Sequence, residues 1–133
     1  MIWMVALGSA VGGVARYLFG GVLQRASGTT FPIWTLVINV TGSLILGFLM
    51  RYLVEGVPVS AEVRALLTVG FCGGYTTFST FSYETVVLFS QGEWRRGSLY
   101  VAGSVTLSLL ATGAGMALAQ PVIVAMRGRA GTL

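Results

Sequence analysis

The stretch Gly70-Phe71-Cys72-Gly73-Gly74-Tyr75-Thr76-Thr77-Phe78-Ser79-Thr80-Phe81-Ser82 gathers most of the residues with chemical potential in this chain. Adjacent glycines followed by two β-branched threonines make a poor helix interior. Inside an apolar run the pattern has two readings. Either the helix breaks and its freed carbonyls are met by a bound cation, or a glycine kink is relieved by threonine hydroxyls. Phe78 and Phe81 follow, three residues apart and on one helix face. Such rings either face lipid or core, or turn their positive edges toward a small anion. Edge contacts hold an anion weakly enough to release it, as conduction requires.

Two more segments carry polar side chains at four-residue steps: Thr35, Asn39 and Ser43, and then Tyr100, Ser104, Ser108 and Thr112. Each set lies along one helix face. Serine and threonine hydroxyls commonly bond between membrane helices. Asn39 differs, because a carboxamide in a bilayer is costly unless paired, and its amide group offers two donors to an anion. Together the stripes describe a track of neutral donors without carboxylates. Arg16 and Glu84 are the charges nearest to mid-span positions. Arg16 either draws an anion into a vestibule or snorkels to the headgroups. Glu84 has an interhelical hydrogen bond, an ion pair or a part in transport open to it.

The elements that position these residues follow from composition. The chain has 133 residues, 55% hydrophobic and 9% charged, with a mean hydropathy of +0.84. An ordinary soluble domain carries roughly 25% charged residues, so twelve charges cannot cover a water-facing surface of this size. The chain is expected in a membrane. It contains no histidine, lysine or aspartate and a single cysteine, Cys72. This excludes histidine-based triads, histidine-ligated zinc, an intrachain disulfide and CxxC sites. No nucleophile–base pair or metal cluster is apparent, so an enzyme is not expected. The net charge of +4 comes from arginines at the ends of apolar runs. It points to headgroups and anions rather than to nucleic acid. No basic region precedes the first apolar run, so a cleaved signal peptide is not expected.

A bilayer crossing takes about 20 apolar residues. The sequence predicts four, over about 2–23, 33–54, 62–90 and 98–120, forming a single all-α transmembrane domain over 1–126 with a flexible tail over 127–133. Ser60 reads as a helix N-cap with Glu62 in the first turn. Gly8 with Gly12, Ser9 with Gly13, and Gly113 beside Gly115 are expected to let helices approach closely. Four crossings put both termini on one side. Arg51, Arg64, Arg127 and Arg129 then face Arg25, Arg95 and Arg96, with Arg16 near the latter. The near-balance favours neither orientation, which predicts insertion both ways round and pairing as an antiparallel homodimer.

Gly8 with Gly12-Gly13-Val14-Ala15-Arg16-Tyr17, Asn39-Val40-Thr41-Gly42, and the run from Gly70 to Ser82 together resemble the signature of the Fluc (CrcB) fluoride channel family. The resemblance covers nearly the whole chain, and the Gly-Gly-x-Thr-Thr-Phe-Ser-Thr-Phe run is its most specific part. It implies a dual-topology homodimer in a prokaryotic inner membrane, with two antiparallel pores that export toxic fluoride passively from the cytoplasm. It also implies a structural sodium ion at the dimer centre, held by the backbone carbonyls of Gly73 and Thr76 and their symmetry mates. Phe78 and Phe81 match the paired phenylalanines that meet fluoride through ring edges, and Asn39 matches the pore asparagine. Tyr100, Ser104 and Ser108 match the polar track, with Thr77 and Ser79 near it. The matches of Arg16, as a vestibule residue, and of Glu84 are positional only. The rival reading is a small multidrug-resistance-type dual-topology proton antiporter, which depends on a glutamate in its first helix. The first span here carries Arg16 and no acid. A structural membrane subunit would account for the glycines but not for two polar stripes and a helix break.

Overall fold

A computed structural model describes residues 1–28, 30–56 and 58–130, and among them every regular element is helical. Helix α1 spans Ile2–Ser27 and α2 spans Ile33–Arg51, continuing into a wider π-helical segment, Tyr52–Gly56. The third stretch is composite. It runs through α3 (Ala61–Ala65), a π-helical segment (Leu66–Cys72) and α4 (Gly73–Tyr75), and resumes as α5 (Phe78–Ser90) after two extended residues. Helix α6, Trp94–Ala130, completes the chain.

Local signals account for most of the boundaries. Arg25 lies in the last turn of α1, where a cation complements the helix dipole. Gly28 then stops the helix in the left-handed region at φ 58°, and Gly92 turns the chain between α5 and α6 at φ 78°. Ser60 caps α3 as expected, its hydroxyl accepting from the Val63 N–H at 3.3 Å.

Three stretches are long and apolar enough to cross a bilayer: Ile2–Ala26, Ile33–Gly56 and Trp94–Gly128. They match the expected first, second and fourth spans, and the chain is a multi-pass membrane protein. Across the expected third span, 62–90, the helix parts at Thr76 and Thr77. Their backbone torsions (φ −80°, ψ 161° and φ −149°, ψ 108°) are extended.

Helix α6 exceeds its predicted limits of 98–120. It passes Pro121 and Arg127, so residues 127–130 are helical rather than tail, and residues 131–133 lie outside the described residues. Proline removes one helical hydrogen bond, but packing beyond it carries the helix on. Ala119 and Ile123 are fully buried, Tyr52 donates to the Met126 sulfur at 3.3 Å, and Arg127 Nη2 donates to the Glu55 carbonyl at 2.6 Å.

Two glycine seams hold the bundle. A Cβ at Gly8 would strike the Leu66 carbonyl oxygen, and one at Gly12 the Phe71 carbonyl oxygen, so α1 presses backbone to backbone on the stretch before the break. Gly47 meets the backbone of Thr112, and Gly115 meets that of Leu44, closing α2 on α6. At Gly13 and Gly113 a Cβ would have nothing within 4 Å inside the single chain. Gly113 and Gly115 are two residues apart, which on a helix places them on nearly opposite faces.

Candidate functional site

The site is organised by the interruption at Thr76 and Thr77. In a continuous helix the Thr77 N–H would bond the Gly73 carbonyl. Here it donates to Asn39 Oδ1 on α2 at 2.8 Å, while Asn39 Nδ2 donates to the Thr77 carbonyl at 3.0 Å. One carboxamide therefore satisfies both polar groups of one residue, as a neighbouring strand would. The Thr77 hydroxyl accepts from the Thr80 N–H at 3.2 Å and starts α5. Thr76 N–H and hydroxyl both donate to the Cys72 carbonyl at 3.0 Å, ending α4.

Arg16 adds a contact that its position in the sequence did not announce. Its Nη1 donates to the Thr76 carbonyl at 3.0 Å, reaching the break from α1. Glu84 ties three helices together, accepting from Thr35 on α2 at 3.0 Å and from Tyr100 on α6 at 2.7 Å. Of the options for Glu84, the structure displays interhelical hydrogen bonding.

Beside the break lies a cavity of about 270 Å³. Asn39, Phe78, Phe81, Ser104 and Ser108 line it together with Thr76, which brings five expected track residues and one expected carbonyl donor to a single surface. The two phenyl rings sit 5.6 Å apart and are tilted by 46°, a geometry that presents edges as well as faces. Phe78 is 78% exposed in the single chain. No formally charged side chain is among the lining residues. Ser104 is only 6% exposed, and its hydroxyl has no hydrogen-bond partner among the described residues. Such a group usually implies an unseen partner, because leaving it bare costs about 1–3 kcal/mol.

Tyr100, Thr77, Ser79 and Gly73, also expected at the site, lie apart from the cavity lining. Tyr100 is fully buried, and its hydroxyl is committed to Glu84. Its ring, however, lies 5.3 Å from that of Phe81. Thr77 is spent on the break, and Ser79 meets the Thr77 hydroxyl at 3.4 Å. Gly73 is exposed, without the Thr77 N–H that a continuing helix would offer its carbonyl.

Gly42, Ser43, Leu46 and Val105 complete the lining. Ser43 was legible in the α2 stripe and Gly42 in the Asn39–Gly42 segment. Leu46 lies seven residues beyond Asn39, on the same face, and could have been added by periodicity alone. Gly42 has a second use, since a Cβ there would strike the Thr76 side chain.

The family model described as CrcB-like protein, Camphor Resistance (CrcB), matches residues 3–116. The chain belongs to the CrcB family. The CrcB match takes in the break and every cavity residue, and it ends before Pro121. Among the relatives, the fluoride-specific ion channel FluC of Rhizobium meliloti is 42% identical over 122 residues, covering 92% of this chain and 98% of its own. The protein of the same name from Paramagnetospirillum magneticum is 51% identical over 110 residues, covering 81% and 86%. That of Methanopyrus kandleri is 47% identical over 118 residues, covering 89% and 88%. All three relatives are named as ion channels rather than enzymes.

Proposed function

We propose that this chain is a fluoride-selective channel that lets fluoride leave the cytoplasm passively, across the inner (plasma) membrane of a prokaryotic cell. The carrying observation is the cavity beside the break, where tilted phenylalanine edges, the Asn39 amide and a buried, unpartnered Ser104 hydroxyl converge without a fixed charge. The channel names of the relatives support the same reading. Fluoride is small and strongly hydrated, so its path must replace water with donors while keeping the ion releasable. One Asn39 amide hydrogen is used on Thr77, which leaves the other for the ion. Ser104 and Ser108 extend the donor row along α6, and Tyr100 and Thr77 serve as its supports. Ser79 stands at the edge of the same row.

In this reading α3 to α5 together make the third of four crossings, within a single transmembrane domain over 1–126. Two copies insert in opposite senses and pair as an antiparallel homodimer surrounded by lipid, each contributing to two pores. A structural sodium ion at the centre is held by the carbonyls of Gly73 and Thr76 from both copies. The donor chemistry fits such a hard cation. Gly73 lacks its helical partner, and the Thr76 carbonyl keeps a second lone pair beside the Arg16 bond. When bound, the ion would supply positive charge to carbonyls that the break leaves without backbone N–H partners.

The test is efflux from liposomes loaded with fluoride, with chloride and proton-gradient controls. Phe78→Ile and Phe81→Ile are each expected to abolish fluoride efflux while the protein keeps its oligomeric state in detergent. Unchanged efflux in both would overturn the assignment of the cavity as the pore. Proton-coupled movement of an organic cation would favour the antiporter instead.

A further inference from the structure

Two side chains reach the break from different helices, and they differ in charge. Asn39 pairs with the Thr77 peptide through neutral bonds, whereas Arg16 places a guanidinium on the Thr76 carbonyl at 3.0 Å. Among the described residues, Arg16 is the one charged side chain hydrogen-bonded to Thr76 or Thr77. The same carbonyl is one of the donors assigned above to sodium, so a resident positive charge and a mobile one would share one oxygen. In a partly buried site such like charges repel with little screening by salt.

Resting on that sodium reading, we propose that Arg16 is a positioning residue that sets how far the break depends on sodium. Its guanidinium meets the Thr76 carbonyl from within the chain, so the break keeps part of its order without the ion. The same charge opposes the ion, so more sodium is needed to fill the site. The two effects have opposite signs, which separates this role from simple packing. Linkage makes the coupling reciprocal: whatever Arg16 takes from sodium affinity, bound sodium takes from the Arg16 bond.

The experiment is thermal unfolding of the full chain in detergent. Sodium is titrated against N-methyl-D-glucamine at constant ionic strength, and stabilisation is read as a rise in Tm. Arg16→Gln keeps N–H donors but removes the charge. It is expected to lower Tm without sodium and to lower the sodium concentration for half-maximal stabilisation on the order of tenfold. Arg16→Lys keeps the charge and is expected to stay within about threefold of the parent midpoint. The proposal is overturned if Arg16→Gln loses Tm uniformly with an unchanged midpoint, or if Arg16→Lys shifts as Arg16→Gln does. Failure of Arg16→Gln to fold at any sodium concentration would also overturn it, since added ion should replace the missing bond. A parent protein indifferent to sodium would remove the sodium reading and this proposal together. That outcome is distinct, because there would be no midpoint to shift.

Discussion

The break at Thr76–Thr77 and the cavity beside it are both built from polar groups in an apolar bundle, and the chain treats them in opposite ways. At the break, Asn39 takes both polar groups of Thr77, Arg16 takes the Thr76 carbonyl, and the Thr77 hydroxyl caps α5. In the cavity, the Ser104 hydroxyl is buried and has no partner among the described residues. The membrane penalises a bare polar group in either place. The difference shows which groups are spent on the fold and which are left over from it. Residue type does not make that distinction, since a serine or threonine serves either purpose. Partnership does.

The sharpest way to break the comparison is to separate the two regions mechanically. Gly12 lies against the Phe71 carbonyl and the Tyr75 N–H, one turn before Arg16. Gly12→Val is expected to force α1 away and pull Arg16 from the break, costing about 3 kcal/mol or more by overpacking. Loss of the folded protein's elution peak in size-exclusion chromatography would report it. Asn39→Leu comes next. It strands both polar groups of Thr77 and is expected to cost about 2–4 kcal/mol in denaturant unfolding. A fold as stable as the parent would mean that the break does not need its clamp.

Ser104→Ala should behave in the opposite sense, because it removes a hydroxyl that nothing in the fold uses. Stability is expected to stay within about 1 kcal/mol of the parent or to rise. Fluoride efflux from liposomes is expected to fall by on the order of tenfold, the equivalent of one lost hydrogen bond. A destabilised variant with normal efflux would reverse the assignment of open and committed groups. The smallest effect is expected at Gly113→Ala. Its Cβ meets nothing within 4 Å, so the gain in helix propensity should stabilise the chain by up to about 1 kcal/mol. The same thermal melts would detect it.

The fold was legible where local physics decides it. Helix-poor glycines and threonines marked the interruption, and Ser60 announced its cap. The polar stripes foretold the cavity through Asn39, Ser104 and Ser108. What escaped the sequence was pairing over distance. Asn39 finds Thr77 38 positions away, and Arg16 finds Thr76 60 positions away, which no periodicity encodes. For the same reason the bond from Tyr100 to Glu84 was not legible in the α6 stripe, because it depends on how α5 and α6 are brought together. The fourth span was expected to end near residue 120, whereas α6 runs on through Pro121, where burial of Ile123 against Gly56 offsets the single lost bond. Gly13 and Gly113 meet no helix of their own chain, and small-residue spacing marks a face without saying which helix lies on it.

Cys72 is the chain's one thiol, and it is 2% exposed in the turn whose carbonyl receives both Thr76 donors. Alkylation of that sulfur requires the turn to part from its neighbours. The rate at which a thiol reagent consumes it therefore counts openings of the break in real time. Nature has placed a stopwatch one residue before the glycine pair, and using it needs no engineered label.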